Sequence, residues 1–237
     1  MKLALNYRDD TKYLQIQSNN IAAIDLGEIH SITSIDSNGN SLIITGRQLR
    51  SYQRFRNKEL GKLQQRLSKC KKDSNNYKKY RKAIRKLMSK SNAKINNDMH
   101  KTSKLYLDYV ILNNIKIVII GDLTNFNINL GQRKSKKGQQ QKLVQWQHGR
   151  LIHKLKEKLG RYGVNIEEIS EAYTSQTCPN CGNKYKPTSR NYICNVCGFT
   201  MHRDLVGAYN ILSKYINNGE IKKLDIDVKP IKYLRIS

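Results

Sequence analysis

The chain has 237 residues, of which 44 are Lys or Arg and 18 are Asp or Glu, for a formal net charge of +26 at pH 7 with 38% hydrophobic residues. A disordered basic tail is the bland alternative, against which the 14 Tyr and the β-branched runs argue, and a surface this cationic excludes an acidic enzyme for cationic substrates; a polyanion, nucleic acid first, is the expected partner. The first 17 residues hold no apolar stretch of secretory type, and the longest apolar run, Ile117 to Ile120, is far below the roughly 18 residues of a membrane helix, so a cytoplasmic chain without a membrane partner or small-molecule substrate is expected.

Residues 1–17 alternate loosely about Arg8-Asp9-Asp10 and predict a short hairpin. Ile21 to Leu26 is apolar on both faces, the signature of a central covered strand, and is closed by Asp25 and Gly27. Two β-prone runs, Ser31 to Ile35 and Ser41 to Thr45, flank Asn38-Gly39, which predicts a hairpin and hence a three-stranded meander. From Arg47 to Lys104 the chain carries 20 Lys or Arg against three acids, with Leu60, Leu63, Leu67, Ile84 and Leu87 at helical spacing. This predicts a basic helical hairpin that turns at Asp73 to Asn76 and sets its leucines against the sheet. A second buried strand follows at Ile115 to Ile120, then a polar loop over 125–141, a helix from Val144 to Leu159 ended by Gly160, a strand from Val164 to Ile169, and a last helix from Leu205 to Ile216. Nothing is read from the tail after Gly219. This order is that of a ribonuclease H-like α/β fold, a mixed sheet with a basic helical insertion.

Four of the five cysteines form Cys178-x2-Cys181 and Cys194-x2-Cys197, each pair followed by Gly; Cys70 stands alone as an ordinary helix residue. Each turn can offer two thiolates to one tetrahedral ion, so the expectation is an inserted zinc ribbon holding one structural Zn2+. Among the acids, Asp25 ends a buried strand, where an unpartnered carboxylate is costly, and Asp204 starts the last helix. Read singly, each could be a plain cap. Together with a carboxylate on another buried strand they could converge on two Mg2+ or Mn2+ ions roughly 4 Å apart, as two-metal phosphodiester hydrolysis requires.

The strings Ile24-Asp25-Leu26-Gly27, Ile119-Ile120-Gly121-Asp122-Leu123, Tyr173 to Gly182 (YTSQTCPNCG) and His202 to Ile211 (HRDLVGAYNI) make the chain resemble the TnpB/OrfB proteins of insertion sequences, compact RNA-guided nucleases related to type V CRISPR effectors. The resemblance implies a RuvC-like nuclease split by a zinc ribbon, DNA and a guide RNA as partners, and Asp25 and Asp204 as the first and third catalytic acids. The family's second acid is a Glu at the position of Gly121. Asp122 is adjacent but on a pleated strand faces the other way, so Glu171, on the strand expected beside that of Gly121, is the favoured substitute and Asp122 the second choice. Relatives also carry a larger N-terminal half. The implied organisation is a remnant barrel hairpin over 1–18, a nuclease unit over 19–172 and 203–218 with the basic insertion at 47–112, a zinc ribbon over 173–202 and a tail over 219–237. Within the insertion, Arg47, Arg50, Arg54, Arg56, Lys78, Arg81, Lys82 and Arg85 are the expected phosphate contacts, with Tyr52, Phe55, Tyr77 and Tyr80 interleaved as core or as stacking platforms. A catalytically silent nucleic-acid-binding derivative, a repressor or decayed element product, is the rival reading. A zinc-ribbon RNA-binding protein fits the charge and cysteines but leaves the Asp25 and Asp204 strings unexplained.

Overall fold

A computed structural model describes residues 11–122, 148–185, 187 and 189–236. Its elements in chain order are β1 (Asn20–Asp25), β2 (His30–Asp36), β3 (Ser41–Thr45), α1 (Arg47–Ser68), α2 (Asn75–Leu112), β4 (Ile115–Asp122), α3 (His148–Gly160), β5 (Asn165–Ser170), β6 (Asn191–Ile193), β7 (Thr200–His202), α4 (Arg203–Ile216) and β8 (Lys232–Leu234). A mixed sheet runs β5-β4-β1-β2-β3-β8. Strands β5, β4 and β1 are mutually parallel, the β1-β2-β3 meander is antiparallel, and β8 lies parallel to β3.

The unbroken apolar run of β1 follows from its place in the middle of this sheet. Ala22 and Ile24 join a core with Ile95, Met99 and Tyr106 of α2 and Leu151, Leu155 and Leu159 of α3, while Ala23 on the opposite pleat packs with Ile119 against Leu205, Ala208 and Leu212 of α4. Helices therefore cover both faces, and buried strands of this kind read as continuous hydrophobic sequence. The Asn38-Gly39 turn is formed, with Gly39 at φ 78° and its amide donating to the Asp36 carbonyl.

The basic segment folds as the expected helical hairpin. Ser74 caps α2 by accepting from the Tyr77 amide, and Asp73 takes a left-handed φ of 64° at the turn. Its leucines depart from expectation: Leu60, Leu63, Leu67, Ile84 and Leu87 are half-buried and outside the core of the sheet. The reason is length. At about 1.5 Å per residue, the 22 residues of α1 and 38 of α2 extend well past strands of five to eight residues, so only the roots of the hairpin reach the sheet. Buried positions are Leu49, Gln53 and Arg56 in α1, and in α2 they begin at Ser91.

The tail, from which sequence reading takes nothing, is structured. Leu224, Ile226, Val228 and Ile231 pack on the α4 side of the sheet, the Tyr209 hydroxyl accepts from the Leu224 amide at 2.7 Å, and β8 extends the sheet past β3. The alternation Leu224-Asp225-Ile226-Asp227-Val228 is the period-two signal that could have exposed this segment. Residues 11–19, expected to be part of a hairpin, hold no strand; 1–10, the loop over 125–141 and Val144 lie outside the described residues.

Candidate functional site

The carboxyl ends of β1, β4 and β5 lie side by side. Ile24 pairs with Ile120 and Gly121 pairs with Ile169, so Asp25 is next along after Ile24 and Glu171 follows two residues after Ile169. Ala23, Ile119 and Ile169 all pack on the α4 side, and period two carries the same face to Asp25, Gly121 and Glu171. The Glu171 side chain fills the space that a Cβ on Gly121 would need: a β-carbon there would overlap Glu171 Cγ and Oε1 and stand 2.5 Å from Cδ. The Glu171 side chain, arriving from the end of the neighbouring strand, thus fills the space beside Gly121. Asp122 ends β4, and its side chain lies outside the described residues.

Helix α4 closes over this corner. Gly207 permits the approach, since a Cβ on it would meet Asp25 Oδ2 at 2.5 Å and Cγ at 3.0 Å. Burial first, then the nearby charges of Glu171 and Asp204, push the Asp25 carboxyl well above the usual range, with Arg203 opposing. Like charges gathered in a desolvated corner favour either a proton or a bound cation. Asp204, in the first turn of α4, goes the other way. Burial raises it, but a 2.6 Å hydrogen bond from His30 Nδ1 and the charges of His30, His202 and Arg190 hold it below the usual value.

Sequence reading passes over His30, which enters the corner as the first residue of β2; its only local signal is a His opening a β-prone run of Ser, Ile and Thr. Asn210 is a second residue that it does not single out. It is fully buried, and its Nδ2 donates to the carbonyls of Thr174 and Thr177, both at 2.7 Å. The Thr174 amide and hydroxyl both donate to the Glu171 carbonyl, so Asn210 secures the turn that begins at Glu171 and ends at the first cysteine.

The four cysteines meet. All four Sγ atoms lie within 4.8 Å of one another, Cys178 and Cys197 at 3.7 Å and Cys181 and Cys194 at 3.6 Å. A tetrahedral ion with bonds of about 2.3 Å requires S···S edges of about 3.8 Å, so the donor set fits one thiophilic metal ion. The two turns are built alike: Gly182 and Gly198 sit at φ 72° and 70°, their amides bonding back to the Cys178 and Cys194 carbonyls. The Phe199 amide leads in drawing the Cys197 thiol down to about 6, toward the thiolate a metal needs. Beneath, Tyr192 packs with Cys178, Cys194 and Val206 of α4. Cys70 is not part of the cluster; its thiol bonds the Arg66 carbonyl at 3.3 Å.

On the hairpin, Arg47, Arg54, Lys78, Arg81, Lys82 and Arg85 are exposed, and Lys78, Arg81 and Arg85 line a hollow of about 180 Å3 with Asp73 and Tyr77 near the turn. Arg50 is paired with Glu28 at 3.0 Å. Arg56 differs from the expectation of a solvent-facing cation: it is 6% exposed and its Nη1 donates to Asn92 Oδ1. Tyr52 packs on the core, whereas Phe55 is 60% exposed.

A family model named OrfB_IS605 and described as "Probable transposase" matches residues 5–127, more than half of the chain. The chain belongs to this family. A second model, "Cas12f1-like, TNB domain", matches residues 148–211 of the TnpB-type chain, including all four clustered cysteines and Asp204. A TnpB-like protein, MJ0751, of Methanocaldococcus jannaschii is 28% identical over 207 residues, covering 85% of this chain and 71% of its own length. The Escherichia coli K12 protein named "Putative RNA-guided DNA endonuclease InsQ" is 28% identical over 170 residues, covering 66% of this chain but 41% of its own length. Among solved structures, a CRISPR-Cas12f ternary complex superposes with a TM-score of 0.65 at 20% identity, covering 86% of this chain and 40% of that one. A Cas12f1–sgRNA–target DNA complex gives 0.57 at 21%, covering 88% and 51%. These likenesses carry the fold. The chain spans about half or less of the InsQ and Cas12f chains it matches. Among the described residues, no helix is long and apolar enough to cross a membrane.

Proposed function

We propose that this TnpB-type chain is a metal-dependent DNA endonuclease of a transposable element, directed by a guide RNA. In this reading the sheet and its helices are a RuvC-type, ribonuclease H-like unit over 19–172 and 203–218, with 173–202 a zinc ribbon holding one structural Zn2+. The observation that carries it is the convergence of Asp25, Glu171 and Asp204 at one corner, with Glu171 occupying the space of the missing side chain at Gly121. The name of the InsQ relative and the guide-bound Cas12f neighbours favour the same chemistry.

Asp25, Glu171 and Asp204 would hold two Mg2+ or Mn2+ ions, which when bound activate a water and stabilise the leaving 3′-oxygen. The contribution of the chain is positional and electrostatic. Asp25 sits on a strand buried on both sides and cannot swing away, His30 orients Asp204, and the exposed Lys and Arg of the α1–α2 hairpin hold the phosphate backbone. Asp122 stays the second choice for the middle acid.

The rival, a silent nucleic-acid-binding derivative, draws on Gly121; the Glu171 carboxylate in the same volume weighs against it. Nicking of supercoiled plasmid by the chain with its co-purified RNA, in Mg2+ or Mn2+, tests the proposal. Asp25→Ala is expected to abolish nicking, and equal activity in variant and wild type sinks the assignment.

A further inference from the structure

We propose that His30, His202 and Asp204 form a binding site for a first-row transition-metal ion, beside the three-carboxylate corner and distinct from it in its nitrogen donors. Each of the three side chains offers one ligand atom, and these atoms lie within 4.8 Å of one another. The residues come from separate places in the sequence: His30 opens β2, His202 ends β7, and Asp204 stands in the first turn of α4. The two imidazole rings are tilted against each other with centroids 5.2 Å apart, and Tyr233 of β8 sets its edge against both at 6.2 Å, walling the pair on the tail side.

The His30–Asp204 pair uses Nδ1 of His30 and the cap on α4 uses Nδ1 of His202, yet neither contact requires two imidazoles to converge on one carboxylate. Two neutral imidazoles and a carboxylate make a donor set that holds divalent first-row ions and leaves coordination positions free for water or a phosphate oxygen. Mg2+ prefers oxygen donors throughout, so this set discriminates against it. His202 Nδ1 caps α4 by accepting from the Asp204 amide at 3.3 Å, a long contact. Asp204 would then serve both positions, and the hairpin held by the four cysteines would deliver His202 and Asp204 together. The site stands on its own donors; only its use in cleavage rests on the nuclease reading, so the test reads the metal and not the DNA.

The test uses the full chain as purified, with its cysteine-bound metal retained, titrated with Mn2+ alone and followed by electron paramagnetic resonance. Wild type is expected to bind Mn2+ with nitrogen-14 modulation in the spin-echo signal, persisting in a tenfold excess of Mg2+. His30→Gln and His202→Gln are each expected to lose part of that modulation and to weaken Mn2+ binding at least tenfold; Asp25→Asn and Glu171→Gln should leave the modulation in place. Zinc content and thermal midpoint, measured on every variant, establish that it is folded. Bound Mn2+ without nitrogen modulation, modulation abolished by tenfold Mg2+, or modulation unchanged in both histidine variants overturns the proposal, whether or not the chain cuts DNA.

Discussion

Gly121→Ala adds one methyl group at the point that the Glu171 side chain fills, where the proposed function places the middle acid. The new Cβ would overlap Glu171 Cγ and Oε1 and lie 2.5 Å from Cδ, where ordinary contact begins at 3.4 Å, so the side chain must retreat by at least about 0.9 Å. Overpacking of this kind costs about 1–3 kcal/mol, partly offset by the stiffer unfolded chain that Ala gives over Gly. A net loss near 1 kcal/mol lowers the thermal midpoint by about 2–4 °C in a chain of this size. Cleavage suffers more, because misplacing a catalytic group by about 1 Å costs on the order of 100-fold. Supercoiled-plasmid nicking measured beside calorimetry is expected to show a rate loss near that size with a small change in midpoint. The relocated pair Gly121→Glu with Glu171→Ala returns a carboxylate to the same corner from the neighbouring strand and is expected to recover part of the rate. Wild-type cleavage by Gly121→Ala, or a relocated pair no better than Glu171→Ala alone, refutes the substitution of one position by the other.

Asn210→Leu strands the Thr174 and Thr177 carbonyls and is expected to cost about 2–4 kcal/mol in urea denaturation, with faster hydrogen exchange at the amides of Thr174 and Thr177. Asp25 titrates above its unfolded value near 3.9, so in buffer without divalent ions its contribution to stability is full below that value and is lost as pH rises through the raised one. Asp25→Asn is therefore expected to gain stability over wild type at pH 8 and little at pH 4, read by urea midpoints. Lys78→Ala, Arg81→Ala and Arg85→Ala combined are expected to flatten the salt dependence of nucleic-acid affinity by about 0.9 log units for each phosphate left without its cation, whereas Arg56→Ala, being buried, lowers the thermal midpoint and leaves that slope alone. Chelation of the cysteine-bound metal is expected to abolish the protection of the Tyr192 amide from hydrogen exchange, because little else covers that small core.

What is legible in the sequence is whatever a short window encodes. The doubly covered β1, the Asn38-Gly39 turn and the paired cysteines with their glycines each carry their own periodicity or spacing, and the structure forms all three. The neighbourhood of Gly121 and Glu171 is legible only through strand order, which the resemblance supplies. His30 escapes notice because its partner Asp204 is 174 residues away and nothing local distinguishes a ligating His from a strand-opening one. Arg56 reads wrongly as a surface cation because burial in a helical hairpin depends on which face meets the partner helix, and a run of cations hides that face. The end of the chain gives no signal at β8 because three residues are too few for a pattern, and the sheet edge that receives them belongs to residues near position 43.

The passage from β7 to α4 has no intervening residue: His202 ends the strand and Arg203 begins the helix. A joint without a linker transmits torque. Any rotation of the cysteine hairpins would therefore reach the first turn of α4 directly, where Asp204 is tied to His30 of the sheet at 2.6 Å. The cysteine hairpins thus share a rigid junction with the helix that carries Asp204, and the placing of that acid depends on how they are folded.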